Sequence, residues 1–152
     1  MQSIDDTLND TFSKFYPEGR INRISIEEVS SHAIKHFEFK SSLYILPENY
    51  HPRNFEGFFV VNHDGGDKTY VATQTKTYDT NGDTEKLVYL ADVVGEEFVG
   101  YGEIRLNISN SEDYFKDKPF VGYTMTFEGH EMKGFGLRRY FIMNALAQAL
   151  FG

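Results

Sequence analysis

The sequence predicts a single α+β domain over residues 1–152, with an antiparallel or mixed central sheet flanked by helices. Three observations carry this expectation. Apolar residues recur at helical spacing near both ends of the chain, and the middle alternates apolar and polar residues between glycine-marked turns. The length of 152 residues suits one core, which at that size buries roughly two-thirds of the surface the unfolded chain exposes.

Taken in order, Ile4, Leu8, Phe12 and Phe15 share one helical face, with Asp5 and Asp6 near the start and Pro17 and Gly19 ending the helix after Tyr16. The segment before Ser25 reads as a short strand. Ser25-Ile26-Glu27-Glu28 then fits a capped helix start, and Ile26, Val29, Ala33 and Phe37 form its apolar stripe. Two prolines and polar residues make 47–53 a loop. Phe58 to Asn62 and Tyr70 to Tyr78 flank His63-Asp64-Gly65-Gly66-Asp67 and read as strand, turn, strand. Asn81-Gly82 marks the next reversal. Leu87 to Val94 and Phe98 to Ile108 form a second hairpin about Gly95-Glu96-Glu97. A polar connection leads to a strand over Phe120 to Phe127, and Leu137 to Phe151 reads as a helix with its apolar face at Leu137, Tyr140, Phe141, Ala145 and Leu150.

Composition narrows the function. The chain has no cysteine, which removes disulfides, thiolate metal sites and a cysteine nucleophile. Fourteen Phe and ten Tyr must supply the packing, since there is no Trp. A formal net charge of -8 repels a phosphate backbone and argues against nucleic acid, while an amine or a basic protein tail would be attracted. The N-terminus lacks the basic start and apolar run of a signal peptide, and no stretch reaches the ~20 apolar residues of a membrane span. A cytoplasmic protein with no membrane contact is expected.

The segment richest in chemistry is Glu131-Met132-Lys133-Gly134-Phe135-Gly136-Leu137-Arg138-Arg139. Two glycines around one residue, immediately before a helix, let the backbone turn tightly and aim unpaired amides at one spot where the helix dipole favours an anion. Lys133, Arg138 and Arg139 add positive charge to an otherwise acidic chain, which suits a pyrophosphate. The same pattern also serves a helix start that needs glycine for its backbone angles.

In its context this segment resembles the acetyl-coenzyme A site of the GCN5-related N-acetyltransferase superfamily, a Gln/Arg-x-x-Gly-x-Gly/Ala turn between a central strand and a helix. The match is Glu131-x-x-Gly134-x-Gly136, after the strand Phe120 to Phe127 and before the helix Leu137 to Phe151. Upstream, Leu87 to Glu103 looks like that family's hairpin, with Val99-Gly100-Tyr101 as its Val-Gly-aromatic step. The resemblance covers Leu87 to Gly152 well and the first half loosely. It departs at Glu131, where the family has Gln or Arg. It departs again after Gly152, where the family continues with a strand, a helix and a closing hairpin that often supplies a tyrosine acid. A C-terminally truncated or degenerate member is the expectation.

The resemblance implies acetyl-coenzyme A as acyl donor and a small-molecule or protein amine as acceptor. Backbone amides of Phe135, Gly136, Leu137 and Arg138 would hold the pyrophosphate, with Lys133 and Gly134 completing the turn. Tyr123 to Phe127 would lie beside the pantetheine arm. Glu128 and His130 stand where a base could take the amine proton, directly or through water, and Tyr123 and Glu103 are further proton-transfer candidates. No covalent enzyme intermediate is expected. The alternative on the same fold is a non-catalytic binding or structural protein that meets a partner, or a second copy of itself, through an open sheet edge. A third reading treats Gly134 and Gly136 as ordinary helix punctuation.

Other motifs carry less. His32 and His36 share a helix face, but no acidic partner follows at zincin spacing, so no metal is assigned. Asp79-Thr80-Asn81-Gly82-Asp83 begins like a calcium loop, yet Leu90 stands where the bidentate Glu belongs. Neither a Gly-x-Ser-x-Gly elbow nor a Walker sequence occurs.

Overall fold

The computed structural model describes residues 4–42, 50–52, 55–78, 84–109, 120–129 and 138–151, and side chains over 7–41, 55–75, 86–104 and 141–150. The elements run α1 (Ile4–Phe15), β1 (Gly19–Ile24), a 3-10 turn (Ile26–Glu28), α2 (Ser31–Ser42), β2 (Tyr50–Pro52), β3 (Gly57–His63), β4 (Lys68–Tyr78), β5 (Thr84–Val94), β6 (Glu97–Ser109), β7 (Phe120–Gly129) and α3 (Arg138–Phe151). The α+β class stands. All paired strands are antiparallel, in the order β1-β3-β4-β5-β6-β7, with β2 joined to the far end of β4.

Both faces of this sheet are covered, and β5 shows why. Its run Leu87-Val88-Tyr89-Leu90-Ala91 is buried throughout, as a central strand between two helical layers requires. Val88 and Leu90 join Leu8 and Phe12 of α1 and Ile142, Met143 and Leu146 of α3 in one core. Leu87, Tyr89 and Ala91 point the other way and pack with Val29 and with Ala33 and Phe37 of α2. The first and last helices therefore share one face of the sheet and α2 takes the other. No helix among the described residues is long and apolar enough to cross a membrane.

The hairpin of β3 and β4 turns on Gly65 and Gly66, whose φ values of 93° and 92° lie in the left-handed region that a side chain disfavours. Gly19 meets a different demand. A Cβ there would stand 2.5 Å from Tyr16 Cε2, so only glycine lets β1 pass against the buried phenol ring.

Three expectations are corrected. Ser25 begins only a 3-10 turn, with its N–H donating to the Glu28 carboxylate at 3.2 Å. Val29 is then extended, and α2 starts separately at Ser31. Ile26 is accordingly 49% exposed rather than part of an apolar stripe. Within the loop expected over 47–53, Tyr50–Pro52 is a strand paired with Tyr78 to Lys76. On α3 the buried residues are Ile142, Met143, Ala145, Leu146 and Ala147, whereas Phe141 is 57% exposed. Of the face expected from the sequence, Ala145 and Leu150 do meet the core, while Phe141 gives way to Ile142, Met143 and Leu146. Leu137 lies outside the described residues, as do the turn residues Asn81 and Gly82.

Candidate functional site

The candidate site begins with β7, which lies beside β6 in continuous register from Ser109↔Phe120 to Gly100↔Gly129. Glu128 stands opposite Tyr101 and Phe127 opposite Gly102, near the end from which the chain proceeds to α3. Tyr123 stands opposite Leu106. It is five residues from Glu128, about 17 Å along the strand, and its position alternates to the other face of the sheet. Tyr123 and Glu128 are therefore not brought together, while Glu103 is opposite Thr126 on the same face as Glu128. Arg138 opens α3. His130, Glu131, Lys133, Gly134, Phe135, Gly136 and Leu137 lie outside the described residues.

Next to Glu128, Tyr101 belongs to a cluster that spacing does not reveal. Its hydroxyl is 2.6 Å from Nε2 of His32, an exposed residue in the first turn of α2. His36, one helical turn on, lies over the Tyr101 ring with centroids 3.5 Å apart. Phe98 lies over His32 at 4.4 Å. The four rings lie in nearly parallel planes, within 27° of one another in each contact. His32 bonds the phenol and His36 stacks on its ring. Among the described residues no group of three or more His, Asp or Glu could hold a metal. Burial raises the Tyr101 phenol above its ordinary pKa of 10.0.

A second polar cluster sits at the same end of the sheet, on the α1 and α3 face. Tyr16, His63, Thr69 and Asp92 are 3%, 5%, 0% and 4% exposed, and they form a continuous chain. The Tyr16 hydroxyl is 3.0 Å from His63 Nδ1, and His63 Nε2 is 2.8 Å from Thr69 Oγ1. Thr69 Oγ1 donates to Asp92 Oδ1 at 2.9 Å. Thr69 has one hydroxyl hydrogen, so once it is given to Asp92 the imidazole must donate from Nε2, and in the neutral ring Nδ1 then accepts from Tyr16. His63 also lines an open cavity of about 520 Å³ with Asn9, Asp10, Glu18, Arg20 and Asp64. Asn9 holds β1 there, its Oδ1 accepting the Ile21 N–H at 2.9 Å and its Nδ2 donating to the Ile21 carbonyl.

Sequence reasoning missed both clusters. Their members come from the residue that follows α1, from α2 and from four strands, and nothing in the local patterns marks Tyr16, His63, Thr69, Asp92 or Tyr101 as neighbours. Set against known proteins, the chain matches no family model, no curated protein and no solved structure.

Proposed function

We propose that the protein is an acyl-coenzyme A dependent N-acyltransferase that moves an acetyl group from acetyl-coenzyme A to an amine. The observation that carries the proposal is the succession at the end of the fold. The hairpin β5–β6 is followed by β7 beside β6 and then by α3 opening at Arg138, so Lys133-Gly134-Phe135-Gly136-Leu137 fall between a strand end and a helix start. The first N–H groups of a helix have no partner within it and favour an anion. Along its outer side β7 has no strand neighbour among the described residues, so its backbone groups are available to the amides of a pantetheine arm.

In this proposal, amides from Phe135 to Arg138 hold the pyrophosphate, and Phe127 and Tyr123 flank the pantetheine arm. The neutral amine attacks the thioester carbonyl carbon, the carbon–sulfur bond breaks, and a proton passes from the amine to Glu128 or His130. Coenzyme A leaves as thiolate and takes up one proton, which replaces through solvent the one the base removed from the amine. Positioning and backbone donors to the carbonyl oxygen supply most of the acceleration. The acceptor is a small-molecule or protein amine drawn to an acidic surface, and the setting is the cytoplasm.

That β7 has one strand neighbour among the described residues also favours a second reading. The family places the acetyl group where the central strand splays from its neighbour, and here one neighbour is described. A non-catalytic protein that pairs this edge with a partner strand or a second copy accounts for the same observation.

Calorimetric titration of acetyl-coenzyme A and free coenzyme A separates the two. Dissociation constants of order 1 µM, lost in Gly134→Asp, are expected for the acyltransferase. An intact chain that binds neither ligand would overturn it in favour of edge pairing.

A further inference from the structure

We infer that the buried chain Tyr16–His63–Thr69–Asp92 is a proton-operated latch that fixes the end of α1 to the sheet. Tyr16 follows α1 directly, and its ring meets His63 edge-on with centroids 5.5 Å apart. The three sheet members come from β3, β4 and β5, so one chain of hydrogen bonds ties the helix to three strands.

The donor order gives the latch two states. With neutral His63, Tyr16 donates to Nδ1 and the imidazole donates through Thr69 toward Asp92. When His63 gains a proton, Nδ1 becomes a donor, so the Tyr16 hydroxyl must turn its hydrogen aside and accept instead. That bond is then charge-assisted, and the imidazolium faces the Asp92 carboxylate across one hydroxyl. The protonated latch is the tighter one.

The groups facing His63 set the pH of this change. Asp92 on β5 favours the imidazolium and burial opposes it. Around the cavity, Asp10 of α1, Glu18 before β1 and Asp64 after β3 add negative charge, and Arg20 of β1 adds one positive charge. Thr69 carries the link to Asp92 and is neutral. Removing Asp92 takes away the carboxylate linked to the imidazole through Thr69, so His63 should then hold its proton only at lower pH. With the Asp92 attraction outweighing burial, the folded-state affinity is raised, and the latch's contribution to stability is complete on the acid side and lost as pH rises through the folded-state His63 midpoint.

Nuclear magnetic resonance of the full chain with labelled histidine rings tests both parts. In the unmodified protein at high pH the His63 ring carries its proton on Nε2. Its midpoint lies at least about one pH unit above that in Asp92→Asn and Thr69→Val, a tenfold change in proton affinity. Thr69→Ser keeps the hydroxyl and the midpoint, and decides the matter with Asp92→Asn if Thr69→Val does not fold. Amides in the last turn of α1 exchange about fivefold more slowly below that midpoint than above it, a difference absent in Tyr16→Phe. Equal midpoints in the unmodified protein and Asp92→Asn, or α1 exchange that ignores the His63 titration, would overturn the latch.

Discussion

Tyr101 shows how one side chain can be read only from its neighbours. The pattern of β6 marks it as a strand aromatic, yet its hydroxyl reaches His32 from a different element and its ring supports His36. Burial lifts its pKa above 10.0, which means the folded protein holds the phenol proton more tightly than the unfolded chain. The linkage sign follows. Tyr101 leaves stability level below about pH 10 and lowers it as pH rises beyond that value, because there the unfolded state binds fewer protons. A phenolate absorbance difference between the unmodified protein and Tyr101→Phe should show the missing group titrating after the ordinary tyrosines. A difference centred at or below the ordinary range would contradict the desolvated ring. The spacing of His32 and His36 was legible in the sequence; that Tyr101 would bond the first and stack on the second was not, since the hydrogen bond to His32 spans 69 positions.

At the scale of elements, strands were easier to read than helix faces. Alternation and Gly-marked turns locate β3 to β6 closely, because a one-residue error would turn every apolar side chain to the wrong face. Helix α3 has no such constraint. Phe141, Ile142 and Met143 follow one another and apolar residues surround the axis, so periodicity cannot choose which side meets the sheet. The boundary of α2 was obscured for a related reason: Ser25 and Glu28 satisfy helix-start chemistry, but that chemistry serves a single 3-10 turn just as well. The face of α3 can be checked by substitution. Leu146→Ala should cost about 2–5 kcal/mol as a buried large-to-small change, and Phe141→Ala less than about 1 kcal/mol as an exposed one. Denaturant midpoints at constant slope would measure both, and the reverse order would restore the face that the sequence suggested.

Over the whole molecule, one sheet separates two apolar cores but also belongs to both. Val88 and Leu90 cannot lose their packing without disturbing Leu87 and Tyr89 on the same strand. Thermal unfolding should therefore be a single transition, with tyrosine fluorescence and backbone dichroism coincident. Two resolved transitions would mean that α2 and its layer form a separate unit. The α+β class and the sheet were legible from period and turn chemistry. The candidate site was legible only as a motif, since the residues after β7 that carry the glycine turn lie outside the described ones, and the clusters around Tyr16 and Tyr101 depend on tertiary placement.

The shared face of α1 and α3 has a consequence for synthesis. The ribosome delivers α1 before the described strands and α3 after them, yet Leu8 and Phe12 share their core with Ile142, Met143 and Leu146. Until those last residues emerge, the first helix carries an uncovered apolar stripe, and a chaperone that holds nascent chains would find its binding site there.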